Sequence, residues 1–215
     1  MGNLNPKFYK SHVFNGSQRS NIGVQRTTVE YFLDYNCPFS AKIFKKLNNE
    51  LLPILKSKGI DNKFDITFVN VVQPWHHLNS GASHEVALAV AQAYPTQFWK
   101  FSSVLFEHIE EFYDTELYET TRKQLYAKLI KLAVENLEDV DANKLWSLVE
   151  IKPSSDGKPH NSGNEVTNDL KYFTRYERTL GVHVTPTVAV NGIIKPNIES
   201  STDSSKVATI LENEL

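Results

Sequence analysis

The chain holds a single cysteine, Cys37, in the run Asp34-Tyr35-Asn36-Cys37-Pro38-Phe39-Ser40, and these residue types in this order could do sulfur chemistry. A thiol at the mouth of a helix faces unpaired backbone N–H groups and the positive end of the helix dipole. Both favour the thiolate, which is the nucleophilic form. Pro38 suits the first helical turn, where a missing N–H costs nothing. Ser40 lies within one turn of Cys37 and can point its hydroxyl at the sulfur, or serve only as a helix-face residue. A lone cysteine is commonly a small buried hydrophobe, but the turn position favours a site residue. Asp34 and Tyr35 precede the turn; a carboxylate there would hold the thiol protonated or relay its proton, though aspartate also ends strands.

A second polar cluster, "QPWHHLNSGASHE", places His76, His77 and His84 within nine residues, with Glu85 beside them. Three imidazoles could bind zinc, alone or with Cys37, but the spacing matches no regular ligand pattern, and no metal is expected. A substrate-facing or pKa-tuning role for one of them, His76 or His84, is expected ahead of metal binding, with surface histidines as the alternative and His84 well placed simply to open a helix. His183 is a weaker candidate to face the thiol.

The elements that would position these groups can be read from periodicity. "TTVEYFLD" alternates Val29, Tyr31 and Leu33 and reads as a strand; "KFDITFVNVV" alternates Phe64, Ile66 and Phe68 and reads as another. Between them Ile43, Phe44, Leu47, Leu51, Ile54 and Leu55 recur at helical spacing up to Gly59, with Pro53 expected to kink the helix or end it early. This βαβ unit should have parallel strands, with the histidine cluster on the same rim as Cys37. From 83 to 180 the pattern is helical, with Ser83 as one cap, Pro95 opening a further helix, a Thr121–Gln124 capping box and Asp141 as another cap. Phe98, Trp99, Phe101 and Phe106 read as core of this helical part, and the acids and lysines of 107–144 as its solvated surface. "KPSSDGKPHNSG" (152–163) is a loop, and Val166, Leu170, Phe173 and Leu180 line one helix face that stops at Gly181. "TVAV", Asn191-Gly192 and "IIK" form a hairpin, and Val207, Ile210 and Leu211 mark a final helix.

With 40% apolar and 22% charged residues and a formal charge of −2, the composition is that of an ordinary globular chain, with no expectation of nucleic acid or membrane as partner. No run approaches the roughly 18 apolar residues of a membrane-spanning helix. The first twenty residues lack a signal-peptide core, Pro6 disfavours myristoylation, and Asn15-Gly16-Ser17 fits a glycosylation acceptor only by chance. One cysteine rules out an intramolecular disulfide framework, and the expected location is cytoplasmic.

The order βαβ, helices, ββα, with a cysteine at the first strand-to-helix turn and Thr185-Pro186-Thr187 before the hairpin, resembles the thioredoxin superfamily. The helical insertion is similar to that of its DsbA-like branch, which includes kappa-class glutathione transferases and chromene-carboxylate isomerases. "YFLDYNCPFS" resembles the active-site turn, "GVHVTPTVAVNG" the cis-proline loop and "HEVALAV" the first insertion helix. The resemblance implies an α/β, thioredoxin-like fold interrupted by an all-helical insertion. Its parts are an arm (1–26), a first half (27–82), the insertion (83–180) and a second half (181–215).

It further implies a thiol-dependent oxidoreductase or glutathione transferase-like enzyme. Cys37 would be the nucleophile and Ser40 a hydrogen-bond donor to its thiolate, with Pro38, Phe39, Thr185 and Pro186 holding the substrate. Val184 stands where many relatives carry a small residue, which would narrow the groove. Dithiol relatives have a second cysteine where this chain has Ser40, so a Cys37 mixed disulfide could be released only by an external thiol. The expected substrates are a thiol, a disulfide or a glutathione conjugate, with glutathione as co-substrate and no tightly bound cofactor; a homodimer is left open. The alternatives are a non-catalytic binding module of the same fold and a glutathione-dependent iron–sulfur scaffold.

Overall fold

The computed structural model describes residues 4–16 and 25–215. Of the positions bearing on a leader or myristoylation, residues 1–3 lie outside the described residues and Pro6 within them; Ser17 of the glycosylation triplet also lies outside.

One sheet carries the site, and its strands run in the order β2-β1-β3-β4. Strand β1 (Thr27–Leu33) pairs in parallel with β2 (Phe64–Asn70), from Thr27 opposite Phe64 to Leu33 opposite Asn70. On its other side β1 meets β3 (Thr187–Val190) antiparallel, and β3 pairs with the short β4 (Ile193–Ile194). Asn191 and Gly192 join these last two with φ of 50° and 77°, the positive values a type I′ turn requires. The alternation read in β1 is not an alternation of burial, since every residue from Val29 to Leu33 is buried. A central strand covered by helices on both faces has no solvent side.

Helix α2 (Pro38–Lys46) follows the Cys37 turn. It passes through a π-helical stretch, Leu47–Leu51, into α3 (Leu52–Ser57), with the Leu52 N–H reaching back to the Leu47 carbonyl. The wider register is one way a helix accommodates an interior proline, so Pro53 neither ends the helical run nor opens it.

The insertion comprises α4 (Ser80–Ala93), α5 (Phe98–Glu107), α6 (Arg122–Asn136), α7 (Ala142–Val149) and α8 (Thr167–Thr179). Thr121 and Gln124 form the expected capping box of α6, and Asp141 caps α7. Helix α4 starts one turn before the expected cap: Ser83 is buried inside it, because the chain turns helical as soon as the Ser80 hydroxyl docks on Asp34. The insertion shares one core with the sheet. The Phe68 ring of β2 meets Phe98 at 5.4 Å, and Phe44 of α2 meets Phe106 at 5.0 Å. Helix α9 (Ser204–Glu212), capped by Asp203, closes the chain.

Residues 4–16 pack into this body. Phe8 is buried against Tyr172 and Phe173, the short helix α1 (Tyr9–His12) carries the buried His12, and the Phe14 N–H donates to the Ile66 carbonyl of β2. Among the described residues no helix is long and apolar enough to cross a membrane.

Candidate functional site

Cys37 is the N-cap residue of α2, in extended conformation, so its side chain stands at the open end of the helix. Its N–H donates to the Asp34 carbonyl at 3.1 Å and its own carbonyl accepts from Ala41 at 3.0 Å, which fixes the turn. Only 4% of the residue is exposed. The sulfur donates to the Thr185 carbonyl at 3.5 Å, joining residues 148 apart in sequence. The Thr185–Pro186 peptide bond is cis. Thr185 and Pro186 are half-buried, whereas Pro38 and Phe39 are exposed at the start of the helix. The structure thus brings Cys37, Pro38, Phe39, Thr185 and Pro186 to one place.

Ser40 faces elsewhere. It is fully buried, and its oxygen accepts the Asp34 N–H at 3.3 Å. The hydrogen bond to sulfur assigned to Ser40 from the sequence is therefore replaced by one that ties the first turn of α2 to the end of β1. Asp34 is the hub of this tie. Its Oδ1 accepts from the Asn36 N–H at 2.8 Å and the Ser80 hydroxyl at 2.7 Å, and its Oδ2 from the Gln73 N–H at 2.8 Å. A buried carboxylate that accepts three donors is a structural clamp as well as a charge beneath the turn.

The three histidines separate. His76 is exposed on the loop after β2, where its ring lies 6.0 Å from that of His77. His84 is fully buried on the inward face of α4 and cannot bind substrate as the sequence suggested. Its Nδ1 accepts from the Asn70 amide at 2.8 Å, and the Asn70 oxygen accepts from His12 Nε2 at 2.9 Å. Burial is the main reason both imidazoles stay neutral, lowered to about 4 for His84, where Asp34 opposes the shift, and to about 3 for His12. Among the described residues no group of three or more His, Cys, Asp or Glu side chains gathers as a metal site.

Four large apolar side chains stand exposed on the segments that surround the sulfur or lie beside them. They are Phe39 on the turn, Trp75 and Leu78 on the loop after β2, and Val184 beside Thr185, all more than 60% exposed. Val184 projects into solvent. Burial, then Glu110 and Cys37 when ionised, raise the phenol of Tyr113, on the insertion, above the ordinary range. The Asn36 amide, donating to the Phe112 carbonyl at 2.8 Å, holds this segment against the turn.

Sequence reading missed Asn70, Gln73, Ser80, Tyr113 and Glu177. Gln73 joins the two halves of the site: its N–H meets Asp34, and its side-chain amide donates to the His183 carbonyl at 3.2 Å. Glu177 left a legible signal, an acid on the otherwise apolar α8 stripe of Val166, Leu170, Phe173 and Leu180.

No protein-family model matches this chain, and no curated protein is similar to it in sequence. Solved structures are similar in fold. A candidate protein-disulfide isomerase from Pseudomonas syringae superposes with a TM-score of 0.67 at 24% identity, over 86% of this chain and 93% of its own. Oxidised BdbD from Bacillus subtilis gives 0.57 at 24%, over 87% and 86%. A thioredoxin-like oxidoreductase from Silicibacter pomeroyi gives 0.56 at 17%, over 99% of both chains. The fold is thioredoxin-like, with a run of helices between β2 and β3.

Proposed function

We propose that this chain is a thiol–disulfide oxidoreductase that works with one cysteine and an external thiol. The observation that carries this reading is the Cys37 sulfur at the open end of α2 and 3.5 Å from the Thr185 carbonyl, with buried Ser40 where a resolving thiol would stand. The Cys37 thiolate attacks one sulfur of a substrate disulfide, the S–S bond breaks, and the other half leaves as a thiol. Cys37 is then held in a mixed disulfide. A second thiolate, for which glutathione is the proposed source, attacks that bond, forms a new disulfide and restores the Cys37 thiolate. The helix N-terminus favours the anion at the moment of attack. The Tyr113 hydroxyl makes no hydrogen bond to the sulfur in the reduced site; we assign it as the donor that turns to the thiolate once that forms. Phe39 and Val184 offer apolar contact to an extended substrate, whose backbone the Thr185 segment would pair. Such chemistry suits a glutathione-rich compartment such as the cytoplasm.

The test is reduction of a glutathionylated peptide by glutathione, with Cys37→Ser as the control. Turnover by the native chain alone supports the reading, and equal rates for the two proteins remove it. A second reading, a peptide-binding module without turnover, draws on the small exposure of Cys37 and on its sulfur acting as a neutral donor to Thr185. Peptide binding that survives Cys37→Ser, without turnover in the native chain, is its signature.

A further inference from the structure

Beside the sulfur, but separate from it, lies a cavity of about 320 Å³ between α8 and the loop after β2. Val72, Trp75, Leu170 and Val182 give it apolar walls, and Glu177, Arg178 and His183 also line it. This is the small end of the roughly 300–1,000 Å³ range of ligand pockets, enough for one side chain or a small molecule.

The wall that sets its chemistry is Glu177. The residue is only 7% exposed, and Oε2 is sealed from solvent without a hydrogen-bond partner. Burial holds this carboxyl up at about 7, with Asp34 also raising it and Arg178 pulling it down. Leaving a buried carboxylate unpaired is costly, so a cation entering the cavity gains what the protein itself does not supply. The exposed indole of Trp75 adds a second preference for positive charge, through the face of its ring. Arg178 lines the cavity as well and opposes this; it is exposed and makes no ion pair with Glu177 within 4 Å, so water screens it in part.

We propose that this cavity is a subsite for a primary ammonium on an apolar stem, the lysine side chain of a peptide whose sulfur reacts with Cys37. The stem lies along Leu170 and Val182, and the ammonium meets the Glu177 carboxyl and the Trp75 ring. The cavity and the sulfur are two residues apart along the chain, since His183 lines the one and Thr185 contacts the other. The Gln73 amide, bonded to the His183 carbonyl, keeps that spacing. The identity of the ligand as a peptide substrate rests on the reading of Cys37 given above; the subsite itself does not.

The groups facing Glu177 are Arg178 on its own helix, Asp34 at the end of β1 and His183 beyond α8. A lysine ammonium stays charged up to pH 10 or so, so affinity should rise with pH as the carboxyl ionises around neutrality.

The test uses the Cys37→Ser chain, which has no thiol chemistry. It is titrated with N-acetyl-lysine amide and with uncharged N-acetyl-norleucine amide, followed by calorimetry and by the fluorescence of its three tryptophans, of which Trp75 lines the cavity. At pH 8 the lysine probe should bind about tenfold more tightly than norleucine, the scale of one charge-assisted hydrogen bond. The advantage should shrink at pH 6 and vanish in Glu177→Gln. Equal affinity for the two probes, or an advantage that survives Glu177→Gln, overturns the subsite. Should Glu177→Gln fail to fold, Leu170→Trp blocks the cavity instead and must abolish lysine binding. A separate arm gives the native chain peptide disulfides with lysine or norleucine beside the cysteine. Lysine binding without any turnover would sink the reading of Cys37 and leave the subsite standing.

Discussion

The Cys37 sulfur donates to the Thr185 carbonyl at 3.5 Å, so the reduced site closes on itself across 148 residues of chain. A thiol makes a weak donor, and Cys37→Ser should move stability by less than about 1 kcal/mol while abolishing modification by iodoacetamide. The chain has no other thiol to alkylate. Mass spectrometry after alkylation, with urea denaturation of the same pair, checks both halves. Incorporation of one label into Cys37→Ser, or loss of its fold, would contradict this account.

Tyr113→Phe removes the phenol that the Cys37 charge reaches. Under the proposed role its loss takes a donor from the thiolate, and the rate of alkylation at pH 7 should fall about three- to tenfold with little change in Tm. Ser40→Ala should leave that rate unchanged, because the Ser40 oxygen serves the Asp34 N–H. The reverse ranking of these two variants would restore Ser40 as the donor.

Ser40→Cys restores a pair at the spacing of dithiol enzymes. The substitution weakens the bond from the Asp34 N–H, at about 1 kcal/mol, but places a second sulfur one turn from Cys37. Under the proposed function, the native chain should keep a glutathione mixed disulfide and the variant should resolve it into an internal disulfide. Intact mass after oxidised glutathione reports the difference: an added glutathione on the native chain, and a loss of two hydrogens on the variant.

Asp34→Asn keeps the shape of the clamp and removes an acceptor. Three donors converge on the carboxylate, from Asn36, Ser80 and Gln73, and an amide nitrogen turned toward any of them meets donor with donor. A loss of about 2–4 kcal/mol is expected in urea denaturation. Ser80→Ala, which removes one donor and leaves the carboxylate two, should cost about 1 kcal/mol.

What the sequence disclosed follows from the range of the forces involved. Hairpin, capping box and βαβ order rest on neighbours a few positions apart, and they stand where periodicity and turn chemistry put them. The turn at Cys37 was legible for the same reason. Ser40 was misjudged because helical spacing says which residues share a turn, not which acceptor a buried N–H will claim; the Asp34 N–H at the end of β1 needed one. His84 was misjudged because α4 is covered on all sides: every residue from Ser83 to Ala91 is buried, so this stretch leaves no face for a substrate. Tyr113 and Gln73 reach the site only through the tertiary fold.

The buried acids and bases set opposing demands on stability with pH. His12 and His84 have folded values lowered to about 3 and about 4, against 6.5 for a free imidazole. Protons therefore bind the unfolded chain more tightly, so this stability is complete above pH 6.5 and is lost as pH falls toward 4. About 1–2 kcal/mol per histidine should be gone by pH 5. Glu177 works the other way. Its folded value, raised from 4.5 to about 7, means that stability complete below pH 4.5 is lost as pH rises through 7. Glu177→Gln should therefore stabilise the free chain at pH 8, by about 1–3 kcal/mol, and change little at pH 5. Thermal denaturation of the native chain and of Glu177→Gln from pH 4.5 to 8.5 separates the two contributions. The curves should run together at the acid end, where the histidines govern both, and part above pH 6 with the variant the more stable. A variant less stable than the native chain at pH 8 would mean that Glu177 is paired in solution, and that the cavity beside it carries no unmet charge.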